Sequence, residues 1–247
     1  MRVATVEGIG PWRDLYRQEM NCQIVGDSID ARPGWTQPYF LYADEEAAGY
    51  ASIAVGGPWK GKPTIFQFFV LPQFRGRVFD FFTTLVAEVK PVGMEAQTTD
   101  IIPSVMLQAF CTEIVCESIL FHDRLTTRLT VPGGVMRKRH SLDESKLGQL
   151  KLDLNAEWLL EVDGRIVGTG GILYHYNRPY GDIYMAVAEG ERRRGYGAYL
   201  VQELKRNCYG GGSIPGARCN PKNVASRKTL QKAGFVPRGS ILVGKIG

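Results

Sequence analysis

Apolar residues fall in short blocks separated by acidic or glycine-rich turns, and the pattern repeats. Tyr39 to Ile53 reads as strand, acidic turn at Asp44, strand. Trp158 to Ile172 reads the same way around Asp163. Asp44 matches Asp163, Gly49 matches Gly168 and Ile53 matches Ile172. The run Phe66 to Asp80 matches Ile183 to Gly197, and Ser118-Ile119-Leu120 matches Ser240-Ile241-Leu242. The offset between matched positions stays between about 117 and 122 residues, as expected of two copies of one fold. Pro132-Gly133-Gly134 breaks the pattern between them. The expected domains are therefore 1–130 and 131–247.

The second copy carries the most distinctive local chemistry. Ile183 to Ala188 predicts a strand, Arg192-Arg193-Arg194-Gly195-Tyr196-Gly197 a basic turn, and Ala198 to Asn207 a helix. Glycines at a strand-to-helix turn let backbone amides approach an anion, the helix dipole favours it, and arginines add charge-assisted hydrogen bonds. A solvated basic turn that caps an amphipathic helix would look the same. The spacing is neither that of a Walker loop nor Gly-x-Gly-x-x-Gly, because Leu200 holds the third glycine place. Further on, Ala217 to Cys219 predicts a short strand. Asn223 is a suitable N-cap for a helix over Val224 to Ala233, Gly234 a suitable left-handed stop, and Phe235 a return to the core.

The run Arg192 to Gly197 resembles the Arg/Gln-x-x-Gly-x-Gly/Ala signature of the GNAT family of N-acyltransferases. Asn223 to Phe235 resembles that family's second element, Asn-x-x-Ser/Ala followed by a helix ending in Lys-x-Gly-Phe. The resemblance implies an α/β chain of two tandem GNAT folds. Each would be a mixed, mostly antiparallel sheet, splayed between its fourth and fifth strands and flanked by helices. It also implies acetyl-CoA as acyl donor and a primary amine of a small molecule or peptide as acceptor, attacking the thioester directly. The pyrophosphate would be held by Arg192, Arg193, Arg194, Gly195, Tyr196, Gly197 and Ala198. Backbone donors of Met185, Ala186 and Val187 would meet pantetheine and thioester oxygen, with Asn223 and Ser226 close by. A non-catalytic acyl-CoA-binding sensor is the alternative.

Catalytic roles follow from the resemblance with alternatives open. The tyrosine that many members use to protonate the thiolate would fall at Leu230. Ser226 is then the candidate acid, or else an ordinary first-turn serine that bonds a backbone N–H. Asp182, at the head of the fourth strand, is the candidate base, with Tyr184 on the same face. Asp182 as a turn residue, with a water chain as base, is the other reading. Tyr174-His175-Tyr176 and Tyr180 form an aromatic rim to the acceptor site, or pack a loop around Asn177-Arg178-Pro179. Cys219 reads as a small buried hydrophobe.

The first copy departs from the pattern where coenzyme would bind. Val78 and Asp80 replace the two glycines, and Asp100 to Ser104 stands where Asn-x-x-Ser is expected. A carboxylate about 4 Å from a phosphate charge costs on the order of 4 kcal/mol even at surface-like dielectric. This copy is expected to bind no coenzyme. It has room for two helices between Pro11 and Gln37, whereas the second copy has only His140 to Ala156, enough for one. The acceptor site is expected to be completed by the other domain, or by a second subunit as in a homodimer.

Composition adds little to this picture. The 247 residues are 44% hydrophobic, enough for a sizeable core. The net charge of +5 comes without the basic, aromatic-interleaved stripe that a nucleic-acid surface needs, so no nucleic acid is expected. The five cysteines form no Cys-x-x-Cys pair, and with three scattered histidines they suggest no metal site. Reduced thiols, no apolar signal segment and no apolar run of membrane length point to a cytoplasmic protein without membrane attachment.

Overall fold

Two compact units emerge from the chain in a computed structural model that describes residues 1–247. One comprises Met1–Ser118 with Gly239–Gly247, the other Ile119–Arg238.

The first unit runs β1 (Arg2–Val3), α1 (Gly10–Met20), β2 (Thr36–Ala43), β3 (Glu46–Ala54), β4 (Thr64–Val70), α2 (Val78–Val89), β5 (Gly93–Gln97) and α3 (Ile101–Phe110). It continues into the start of β6 (Cys111–Asp123). Strands β1 to β4 pair antiparallel in order, and β5 lies parallel to β4. Only Thr64 with Gly93 and Ile65 with Met94 join those two strands, which diverge thereafter. The other edge of β5 pairs antiparallel with Ile241–Lys245. Phe68, Phe82, Leu85, Met94 and Met106 form the core between this sheet and α2 and α3.

The second unit repeats the plan: β7 (Gly134–Lys138), α4 (Glu144–Gln149), β8 (Trp158–Val162), β9 (Arg165–Leu173), β10 (Tyr180–Val187), α5 (Tyr196–Gly210), β11 (Ile214–Cys219), α6 (Val224–Lys232) and the start of β12 (Phe235–Ile246). Strands β7 to β10 pair antiparallel, β11 is parallel to β10, and Ile119–His122 of β6 closes the far edge of β11. The core is built on Phe121, Leu160, Val167, Leu200, Leu204 and Phe235. The single short helix expected between His140 and Ala156 is α4.

Matched residues take matched roles. Asp44 and Asp163 both adopt the left-handed conformation at a hairpin turn, with φ of 56° and 50°. Each hairpin carries a β-bulge at the same place, between Leu41 and Tyr42 and between Leu160 and Glu161. The paired glycines Gly49 and Gly168 face the next strand's backbone so closely that a Cβ would press on a carbonyl oxygen, of Phe69 and of Ala186 respectively.

The division of the chain differs from the expected 1–130 and 131–247. The matched triplets at Ser118 and Ser240 lie in exchanged strands. Leu120 pairs with Arg218 in the second unit, and Leu242 pairs with Ala96 in the first. Both triplets carry the same side-chain alternation, so either satisfies the edge of either fifth strand.

Candidate functional site

Strands β10 and β11 are joined only at Tyr180 with Ile214, Gly181 with Pro215 and Asp182 with Gly216. From Ile183 onward β10 has no partner on that side. The Ile214 N–H donates to the Pro179 carbonyl, while the Ala188 N–H donates to the Val167 carbonyl of β9. Strand alternation therefore turns the amides of Met185 and Val187 toward the open side. Ala186, expected as a third donor there, turns its peptide groups toward β9, where its carbonyl faces Gly168.

The chain then makes one 3-10 turn (Glu189–Glu191) and reaches the basic loop. Arg193 and Gly195 adopt positive φ, 65° and 87°, before α5 starts at Tyr196. The helix thus begins abruptly, and its first amides, at Tyr196, Gly197 and Ala198, have no intrahelical acceptor. Gly197 is needed for close approach: a Cβ there would lie 3.2 Å from the Thr229 side chain and 3.4 Å from that of Met185. The arginines divide their work. Arg192 Nε donates to the Val187 carbonyl at 3.2 Å, pinning the loop to the end of β10. Arg194 pairs with Glu191 at 3.3 Å. Arg193 is exposed. A cation overlooked in the sequence also reaches this point. Lys232, at the end of α6, puts its Nζ 3.9 Å from where a Gly195 Cβ would stand. It lies in the quoted Lys-x-Gly-Phe run, but sequence spacing alone does not show the approach.

Helix α6 opens as expected, with the Asn223 Oδ1 accepting from the Ser226 N–H at 3.0 Å. Gly234 ends it at φ 92°. The Ser226 side chain lies beside the Cys219 thiol at the end of β11, and burial raises that thiol's pKa above its ordinary value while Ser226 opposes the shift. Leu230 is buried in the core.

On the face of β10 opposite α5 lies a polar cluster. Asp182 is 4% exposed. Its Oδ2 is 2.9 Å from His175 Nε2 and 3.4 Å from Arg218 Nε. The buried Tyr176 hydroxyl faces the same carboxylate, and burial first, then Asp182, raises its pKa far above the usual tyrosine range. Tyr184 follows Asp182 on this face, its ring over Gly171. Burial, then Asp153 and Glu157, raises its pKa, so it stays a hydrogen-bond donor. Of the expected aromatic rim, Tyr174 is exposed and Tyr176 is interior.

The first unit preserves the frame and loses the cradle. Arg75 Nε donates to the Val70 carbonyl at 3.0 Å, as Arg192 does to Val187. There, however, the guanidinium also grips Glu19 of α1 at 2.7 Å. No positive φ interrupts the loop. Pro72–Arg77 winds as a 3-10 helix straight into α2, with the Val78 N–H already bonded to the Arg75 carbonyl. The gap between β4 and β5 is occupied by residues 22–26, where Val25 N–H donates to Gln97 Oε1 at 3.1 Å. What remains is a cavity of about 20 Å³ beside Tyr16, Phe66, Gln97 and Asp100. The Tyr16 hydroxyl donates to Asp100 at 2.7 Å, and burial lifts that carboxyl to about 7.

Known proteins bear on this geometry. The sequence model of the acetyltransferase (GNAT) family matches residues 125–235. No curated protein matches the chain by sequence. Among solved structures, a GNAT-family acetyltransferase from Colwellia psychrerythraea superposes with a TM-score of 0.75 at 14% identity, covering all of both chains. A GCN5-related N-acetyltransferase from Sphaerobacter thermophilus gives 0.62 at 17% identity, covering 99% of this chain and 94% of its own. A tandem GNAT protein from the clavulanic acid biosynthesis pathway gives 0.64 at 13% identity, covering 100% and 98%. At these identities the likeness establishes fold. The fold is thus that of GNAT proteins, and residues 125–235 match the sequence model of the acetyltransferase (GNAT) family.

Proposed function

We propose that the second unit transfers an acetyl group from acetyl-CoA to a primary amine of a small molecule or peptide, and that the first unit binds no coenzyme. One observation carries this reading: the unbonded amides at the start of α5 open beside the unpaired edge of β10. The amides of Tyr196, Gly197 and Ala198, with Arg192, Arg193 and Lys232, would hold the pyrophosphate. Met185 and Val187 would present backbone donors to pantetheine and to the thioester oxygen, where negative charge develops during attack. Acetyl-CoA supplies the activated acyl group. Ser226 would give a proton to the leaving sulfur.

The test is thiol release from acetyl-CoA against a panel of primary amines, diamines, amino sugars and peptide N-termini. Amine-dependent release that Gly197→Asp abolishes supports the reading. Tight acetyl-CoA binding with no release from any amine favours the second reading, a non-catalytic acyl-CoA-binding protein. Leu230 at the position of the family's usual acid is what keeps that second reading in view.

A further inference from the structure

We infer that His175 takes the proton from the acceptor's ammonium group, and that Asp182 is the positioning residue that fixes its ring. The inference rests on the acyl-transfer reading above and replaces the expectation that Asp182 is itself the base. Asp182 is buried, and its Oδ2 is already shared by His175 Nε2 and Arg218 Nε. Tyr176 closes another side of it. A carboxylate so enclosed is poorly placed to meet an incoming ammonium. His175 is differently placed: its side chain is 21% exposed, so one edge is open while the other meets the carboxylate. A neutral imidazole carries one proton, and a carboxylate facing Nε2 draws it there. Nδ1 is then an unprotonated acceptor on the open edge. The ring is also held edge-on to Tyr176, with centroids 4.7 Å apart.

The location suits the task. Asp182 is the last β10 residue paired with β11, so the dyad stands where the two strands part. Asp182 lies on the same face as Tyr184, on the strand that carries the backbone donors of Met185 and Val187. The proton balance is simple. One ammonium proton passes to His175 Nδ1, and Asp182 stabilises the imidazolium. The freed nitrogen lone pair forms the bond to the thioester carbonyl carbon. The carbon–sulfur bond breaks with its electron pair on sulfur, and a second nitrogen-borne proton ends there, giving the free thiol. His175 then returns its proton to solvent. The charged or titratable groups facing the ring are Asp182 from β10, Arg218 from β11 and Tyr176 from its own loop.

The experiment uses the full-length chain labelled with ¹⁵N-histidine. With only three histidines, assignment by His122→Gln, His140→Gln and His175→Gln is direct. Long-range ¹H–¹⁵N spectra should show His175 as the Nε2–H tautomer with a bare Nδ1. Asp182→Asn should weaken that tautomer preference. With an amine that turns over, His175→Gln should lower kcat by about 100-fold and abolish the acidic limb of the kcat/KM profile. Its acetyl-CoA Kd should remain within about twofold, since a residue on the acceptor side makes no ground-state contact with the coenzyme. A neutral ring protonated on Nδ1, or an unchanged acidic limb in His175→Gln, would overturn the proposal. Loss of acetyl-CoA binding by the wild type is a different outcome, and would sink the acyl-transfer reading itself.

Discussion

Single residues distinguish the strand-to-helix loops of the two units. Lys232 has no carboxylate partner and overhangs Gly195. Lys232→Ala should therefore weaken acetyl-CoA binding by up to about tenfold, and the loss should shrink as salt screens the pair. Titration at low and high ionic strength checks it, and equal affinity at both would remove Lys232 from the site. Asp100 makes a separate prediction in the first unit. Its folded pKa, about 7, is raised by burial above the ordinary carboxylate value. The folded state therefore holds a proton that the unfolded state releases, and stability falls as pH rises from about 4 to 7. Asp100→Asn should flatten that slope between about pH 4 and 7 in thermal melts, by the equivalent of a few kcal/mol at most. A slope unchanged by the substitution would show that Asp100 is not the titrating group. At this scale the loop glycines, Asn223 and Gly234 were legible in the sequence because each needs a particular backbone conformation or cap. His175 as partner of Asp182 was not, because the partner comes from a loop whose path no periodicity reports.

At the scale of elements, the same strand–loop–helix passage is built twice with opposite consequences. In the second unit, positive φ at Arg193 and Gly195 makes α5 start abruptly with its amides free. In the first, a 3-10 turn runs on into α2 and uses those amides internally. Gly195→Ala should therefore cost about 1 kcal/mol through left-handed strain. Gly76→Ala, with open space around it and no positive φ, should be neutral or slightly stabilising. Denaturant unfolding of the two variants gives the comparison, and equal effects would contradict the asymmetry. Asn223→Ala should likewise cost about 1 kcal/mol by uncapping α6. The sequence could show that Val78 and Asp80 replace glycines. It could not show that Glu19 takes the guanidinium of Arg75, or that residues 22–26 fill the gap beside β5, because both depend on where α1 packs.

For the whole molecule, duplication was readable because hairpins, turns and loop arginines recur at a nearly constant offset. The matched Asp44 and Asp163, and the matched bulges, are its physical content. The exchange of final strands was invisible for the same reason: two near-identical strands fit either sheet, and alternation does not say which. Under the proposed function, the state of one loop gives coenzyme to one half of the chain. Calorimetric titration of the full chain with acetyl-CoA, beside Gly197→Asp and Asp80→Gly, tests this most directly. One site per chain is expected, lost in Gly197→Asp and unchanged in Asp80→Gly. Two sites in the wild type, or a site that survives Gly197→Asp, would contradict it.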